Sequence, residues 1–276
     1  MIRNFFKRFN SILEYRYPKL INTSLCGVQL RLHKGTLRKK VDKDDAWWFY
    51  LAKNHETIID IGCNVGYTAL LALILNPNKR IILIDPNPKA LKIAFSNLVT
   101  NNLCNGAQFV SSFVGNANNG WVRFYTLGTG AAGSMYASHA KTADEMNSFL
   151  EVKTVTLDHL VYSLEIEPHL VKIDVEGAEN LVMEGAKSTA KLTKCSFFVE
   201  LHRSGDLDML GTAEFMLEWC AEMKYTAWYP KTGQVLTDAN VLKNRGKCHL
   251  LLLPNEKEYP NYLKNVIQNA PLPNTL

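Results

Sequence analysis

The sequence predicts an α/β fold with a mostly parallel, doubly wound sheet, and three observations predict it. The run TIIDI at 57–61 is almost wholly apolar or β-branched, breaks into a loop with Gly62 and Gly66, and enters the apolar run 67–75. That is a strand, turn and helix unit of the kind that presents a ligand at the carboxyl edge of a sheet. Further near-continuous apolar runs at 80–84, 169–174 and 194–201 read as strands buried on both faces, the signature of parallel pairing. Finally, the second and third of these four runs lead directly to an acid, Asp85 and Asp174. Acids there stand where such sheets meet their ligands.

Composition narrows the class. The chain has 276 residues, 47% hydrophobic and 21% charged, enough to bury a full core. No apolar run nears the roughly 18 residues of a membrane span, and the N-terminal stretch lacks the apolar segment and cleavage site of a secretory signal. Six cysteines lie far apart without a CxxC, which argues for reduced thiols, a cytoplasmic location and no zinc or disulfide framework. Residues 1–53 carry 12 Lys/Arg against 4 Asp/Glu, whereas the remaining 223 carry 19 against 22. A nucleic-acid enzyme usually carries its basic face on the body itself, so no nucleic-acid partner is expected.

Taken in order, residues 2–13 place Ile2, Phe5, Phe6, Phe9, Ile12 and Leu13 at helical spacing opposite Arg3, Lys7 and Arg8. Packing on the protein is the favoured reading of this basic amphipathic helix, with peripheral membrane contact through residues 1–13 as the sharper one. A short strand pair is expected at 28–32 and 35–39. Residues 42–54 follow as a helix capped by Asp42 or Asp44, with Trp47, Trp48, Tyr50 and Leu51 on its bulky face. Those tryptophans either shape a pocket or anchor the helix.

The loop after 57–61 fits a dinucleotide poorly. GxGxxG requires glycine at 62, 64 and 67, where the chain has Gly62, Asn64 and Tyr67. Cys63 inside it reads as a small packed residue. The second strand ends at Asp85, and Pro86-Asn87-Pro88 then starts a helix to about 101, with Pro88 at its first position. An acid at that strand end can accept both hydroxyls of a ribose. A third strand is expected at 108–114.

An addition to the minimal fold comes next. Residues 121–127 and 151–157 alternate like exposed strands around the loop GTGAAG at 128–133, which suggests an inserted hairpin with a long connection. The fourth strand leads into KIDVEGAE, where Asp174, Glu176 and Glu179 crowd one glycine. Such crowding is costly unless it meets a cation, a hydroxyl or helix N–H groups. Strand 194–201 brings Glu200 and His202 onto one face, a helix spans 212–224, and strands 225–229 and 248–253 close the sheet.

The blocks DIGCNVG, DPNP, VKTVTLDHL, VKIDVEGAE and VELH, in that order, resemble the FkbM family of S-adenosylmethionine (SAM) dependent methyltransferases over roughly residues 55–202. The resemblance implies a Rossmann-like class I methyltransferase sheet with its final strand antiparallel. The chain is accordingly expected to divide into a SAM-binding domain at 55–254, which contains the inserted hairpin at about 120–158, a basic extension at 1–54 and a tail at 255–276. The resemblance further implies O-methylation of a small-molecule or carbohydrate hydroxyl.

In this frame SAM is expected against Asp60, Gly62, Cys63, Asn64, Gly66, Asp85, Pro86, Asn87 and Asp174, with Ser111 and Ser112 near the adenine. His202 is expected as the general base, with Glu200 and Asp174 beside it. Alternatively, Asp174, Glu200 and His202 hold Mg²⁺ or Mn²⁺, an oxygen-rich ligand set those ions favour. Competing readings are a SAM-binding scaffold without catalysis, a nucleic-acid methyltransferase, which would need an NPPY or PCQ motif absent here, and a nicotinamide enzyme.

Overall fold

The computed structural model describes residues 19–38, 44–127, 133–204 and 207–274. The amphipathic segment 2–13, Asp42 and residues 128–132 of the glycine-rich loop lie outside the described residues.

The chain opens with a hairpin of β1 (Leu20–Leu25) and β2 (Val28–His33). This corrects the expected pairing of 28–32 with 35–39: β2 turns back onto the segment before it, through Cys26 and Gly27 at φ 52° and 85°. Two consecutive left-handed residues are the geometry of a tight two-residue hairpin. Helix α1 (Asp45–Lys53) follows. Asp44 stands at its N-cap without a side-chain capping bond, because its carboxylate instead faces His249 at 3.2 Å. Trp48 is fully buried, stacks on Phe198 and donates Nε1–H to the Thr68 carbonyl at 2.9 Å, so the tryptophans anchor the helix to the sheet.

The parallel half of the central sheet is laid down by β3 (Thr57–Ile61), β4 (Arg80–Ile84), β5 (Ala107–Val110), then β9 (Leu170–Ile173) and β10 (Ser196–Leu201). Every β9 and β10 residue is buried, including Lys172, Ser196 and Glu200, which interrupt their otherwise apolar runs. Helix α2 (Tyr67–Leu73) follows β3, and α3 (Pro88–Thr100) follows β4. Asn87 caps α3 by accepting from the Lys89 N–H, with proline at the first position, where its missing N–H costs nothing.

Between β5 and β9 the chain builds a separate three-stranded sheet from β6 (Phe113–Val114), β7 (Trp121–Tyr125) and β8 (Phe149–Val155), ordered β6-β8-β7. The inserted hairpin is thus present as the β7–β8 pair, joined by a connection that includes helix α4 (Lys141–Glu145). The expected single strand at 108–114 is two strands. Ala107–Val110 pairs in the central sheet, and Phe113–Val114 crosses to the insert. Helices α5 (Leu157–Ser163), α6 (Glu179–Glu184) and α7 (Lys187–Thr193) flank β9 and lead to β10.

After α8 (Met209–Met223), strands β11 (Tyr225–Tyr229), β12 (Gln234–Val235) and β13 (Cys248–Pro254) complete the sheet. Among the described residues its order is β12-β11-β13-β10-β9-β3-β4-β5, with β13 antiparallel to β10. Apolar side chains pack both faces, one set beneath α8 and the other beneath α1 and α2. No helix among the described residues is long and apolar enough to cross a membrane.

Candidate active site

The carboxyl edge of β3, β4, β9 and β10 opens into a cleft of about 390 Å³, within the range of small-molecule sites. One end is the glycine loop. Gly62 has φ 83°, and a Cβ there would lie 1.8 Å from the Asp174 carbonyl oxygen, so only glycine lets β3 and β9 close together. Gly66 has φ 84° and lies against Ala94 of α3. Between them, Asn64 also adopts a left-handed φ of 47°.

Asp85 fixes this loop to the next strand. Its Oδ2 accepts the Asn64 N–H at 2.9 Å and its Oδ1 accepts the Asn87 N–H at 2.8 Å. Burial pushes the carboxyl up to about 6, even though both hydrogen bonds pull the other way. Each oxygen retains a further lone pair, and the residue borders the cleft together with Pro86, Asn87 and Ser112.

The expected site residues divide by placement. Gly62, Cys63, Asn64, Asp85, Pro86, Asn87, Ser112, Asp174 and Glu200 border the cleft. Gly66 supports it from the turn. Asp60 is fully buried behind the wall, where Oδ2 accepts the Thr68 hydroxyl and Oδ1 lies 3.8 Å from Lys172 Nζ. Ser111 is exposed and outside the cleft, since the chain is leaving the central sheet there. Cys63 is buried with its thiol pushed well up by burial and by Asp85, an inert packed residue as expected.

The crowding in KIDVEGAE is resolved acid by acid. Asp174 meets Lys172, Nζ to Oδ2 at 3.3 Å. Burial opposes its ionisation, but Lys172 and His202 prevail and hold it near 2. Glu179 is fully buried, and its Oε1 accepts the N–H groups of Val175 and Gly177 and faces His202 Nδ1 at 3.0 Å. Glu176 is the one whose side chain stays part-open in the cleft, 37% exposed. It sits at φ 52°, strained for a residue with a Cβ, and its carbonyl is clasped by the insert, accepting from Ser134 Oγ at 2.7 Å with His139 Nδ1 at 2.8 Å. Burial raises its carboxyl.

His202 departs from the expected neutral base. Its ring lies behind Glu176 and Glu200 and does not border the cleft. Burial alone would lower its pKa, but Glu179, Asp174 and Glu176 together raise it to about 9. The imidazole is therefore a fixed cation near neutral pH. Ligand atoms of Asp174, Glu200 and His202 do lie within 4.8 Å of one another, as do those of Asp44, Glu200 and His249. The charges they would offer a divalent ion are already met: Lys172 on Asp174, Lys247 on Glu200, and a proton on each histidine. A divalent ion at either group would have to compete with these lysines for the carboxylates and displace the imidazole proton to reach the ring lone pair.

Several participants were not read from the sequence. Lys172 is buried in the middle of β9 and borders the cleft, its ammonium retained because Asp174 and Asp60 outweigh burial. His249 bridges Asp44 at 3.2 Å and Glu200 at 3.4 Å. A lysine interrupting an apolar parallel strand was the one available signal.

A mostly parallel sheet with its last strand antiparallel, a glycine loop after the first sheet strand and a ribose-type acid after the second define a Rossmann-like class I methyltransferase. The model of the methyltransferase FkbM domain matches residues 60–227, and the chain belongs to that family of SAM-dependent methyltransferases. No curated protein matches it.

Among solved structures, the chain is similar to the methyltransferase FkbM of Methylobacillus flagellatus KT, with 17% identity and a TM-score of 0.46 over 79% of this chain and 45% of that one. The chain thus spans less than half the length of that protein. It is also similar to an O-methyltransferase from Bacillus cereus in complex with SAH, with 14% identity and a TM-score of 0.46 over 80% of this chain and 83% of that one. A precorrin-6y C5,15-methyltransferase from Geobacter metallireducens GS-15 has 13% identity and a TM-score of 0.44, over 79% and 91% of the two chains.

Proposed function

We propose that the protein transfers the methyl group of SAM to a hydroxyl of a small molecule or carbohydrate, without a resident metal. The observation that carries this reading is one cleft bordered by two chemically distinct ends. Asn64, Asp85, Asn87 and Ser112 suit a nucleoside; Asp174, Glu176 and Glu200 suit a hydroxyl that must lose a proton.

When bound, SAM supplies a methyl group on a cationic sulfur. The residues do the rest. Asp85 accepts the ribose hydroxyls, the loop from Gly62 to Gly66 packs the methionine end, and Ser112 with Phe113 borders the adenine side. Asp174 and Glu200, each neutralised by a lysine, orient the acceptor. The proton passes to a Glu176 carboxylate oxygen, the acid whose raised proton affinity and open side chain suit it. His202, fixed 3.6 Å behind it, keeps that carboxylate ionised until then.

Orientation of two bound reactants contributes about 7–11 kcal/mol. A general base contributes about 10²- to 10⁴-fold, roughly 3–5.5 kcal/mol. Positioning therefore outweighs the base, and losing Glu176 slows the reaction without ending it.

The test is isotope-labelled methyl transfer from SAM to a panel of sugars and small alcohols, with products separated as ethers, esters or amines. Methyl ethers are expected. Methylated amines would overturn hydroxyl chemistry, and tight SAM binding without transfer to any acceptor would favour a scaffold.

A further inference from the structure

Glu176 and Gly177 are consecutive left-handed residues, at φ 52° and 103°. For a residue with a Cβ this conformation persists only where its surroundings impose it, and the peptide joining the two is gripped at both ends. Its N–H, that of Gly177, donates to Glu179 Oε1 at 3.2 Å, within the turn. Its carbonyl, that of Glu176, reaches out to the inserted sheet, where it accepts from Ser134 Oγ at 2.7 Å and meets His139 Nδ1 at 2.8 Å.

Each of these two partners is itself fixed. Ser134 is buried and exchanges both backbone hydrogen bonds with Tyr125 of β7. Its Oγ accepts the Tyr136 N–H at 3.1 Å, which leaves the hydroxyl proton for Glu176. His139 ends a short 3₁₀ turn, Ala137–His139. A carbonyl oxygen only accepts, so His139 Nδ1 carries a proton and donates it to this bond. The ring also packs on Gly177: a Cβ there would lie 2.6 Å from His139 Cε1 and 2.7 Å from the Arg203 carbonyl oxygen. The glycine of KIDVEGAE is thus what lets the insert close on the turn. The donor end of the cleft is held differently, by Asp85 on the N–H groups of Asn64 and Asn87.

Resting on the reading of Glu176 as the proton acceptor, we propose that Ser134 and His139 are positioning residues of the reaction: the insert holds the Glu176 carbonyl, and through it the strained backbone that aims the carboxylate into the cleft. The two donors offset the cost of the left-handed conformation. With either removed, the peptide can rotate and Glu176 can relax toward negative φ. That swings its Cα–Cβ bond away from the acceptor while Asp85 and the glycine loop stay in place.

The experiment uses the full chain, methyl-labelled SAM, and the sugar or small alcohol of the panel above that the wild-type protein methylates fastest. S134A and H139A should each lower kcat about tenfold, the effect of one lost hydrogen bond on a strained turn. SAM affinity by calorimetry and the acceptor KM should stay within about twofold, since neither residue acts on binding. H139N returns an N–H donor near the Nδ1 position without the ring and should recover most of the loss, which a role in packing alone would not allow. In the E176Q background, S134A and H139A should lower kcat by less than about twofold, because residues that act through Glu176 then have nothing to position.

Unchanged kcat in S134A and H139A, or equal losses in the wild-type and E176Q backgrounds, would overturn the positioning role and leave Glu176 as the base. Full kcat in E176Q would remove the base reading and the positioning role with it. Wild-type protein that binds SAM and methylates no member of the panel would remove both as well. If S134A fails to fold, H139A and H139N carry the same test.

Discussion

Lys172 on β9 and Asp174, the first residue beyond it, stand two residues apart, and the ammonium of the first lies 3.3 Å from the carboxylate of the second. Side chains at i and i+2 share a face, so the strand itself delivers this pair to the carboxyl edge. Asp60 on the neighbouring strand completes the triad at 3.8 Å.

Removal of Lys172 therefore leaves two buried carboxylates without their cation. K172M is expected to cost about 3–5 kcal/mol of folding stability, the penalty for breaking a buried ion pair. Urea unfolding of the two proteins measures it. A change below about 1 kcal/mol would show that Asp60 and Asp174 take up protons and do not rely on the lysine.

Asp85 gives a pH dependence of binding. Its carboxyl is held up near 6 by burial, and only the ionised form can accept from both ribose hydroxyls at once. SAM affinity is expected to be constant above about pH 7 and to fall as pH drops through 6, with the slope approaching tenfold per unit below it. D85N should bind weakly throughout and lose this pH dependence. A wild-type profile flat from pH 5 to 8 would remove Asp85 from the ribose role.

What was legible in the sequence is what lies consecutively along it. TIIDIGCNVG and DPNP each contain a strand end, a turn and a helix start, so their local chemistry fixes their place. The acidic turn was legible as a problem without its solution, because Glu176 and Glu179 meet His202, which arrives from the far end of β10, and Asp174 meets Lys172, a lysine inside an otherwise apolar strand. Residues 108–114 read as one strand because periodicity does not register a chain that leaves one sheet for another at Ser111 and Ser112. The opening hairpin was misplaced because Cys26, a residue seldom found at positive φ, occupies its turn.

His202 and His249 make a signed prediction about stability. Each is held near 9 in the folded protein, above the roughly 6.5 of an unfolded histidine. The stabilisation this confers is fully present below about pH 6.5 and is lost as pH rises through about 9. Denaturation midpoints should therefore decline between pH 6.5 and 9. H249Q should be less stable at pH 6 and decline less steeply; a midpoint that rises over this window in the wild type would contradict the protonated state of both rings.

Gly62 separates a steric requirement from a chemical one. With Cβ placed 1.8 Å from the Asp174 carbonyl oxygen and φ at 83°, even G62A forces β3 and β9 apart at the cleft. SAM binding should be lost to calorimetry, while most secondary structure by circular dichroism remains. Retained affinity would mean that the loop accommodates a side chain by moving, and that its distance from Asp174 is not what the site depends on.

Metal dependence discriminates between two ways of presenting the acceptor. Lys172 and Lys247 already stand on Asp174 and Glu200, and His202 carries a proton. A divalent ion would have to displace two ammonium groups and deprotonate an imidazole whose neighbours favour its charge. Methyl transfer should therefore survive dialysis against EDTA and gain less than about twofold from added Mg²⁺ or Mn²⁺. E176Q should retain SAM affinity while kcat falls about 10²-fold or more, in line with the loss of a general base. If EDTA abolished transfer and Mn²⁺ restored it, the lysines would have to leave these carboxylates during turnover, and Asp174, Glu200 and a neutral His202 would be the ligands.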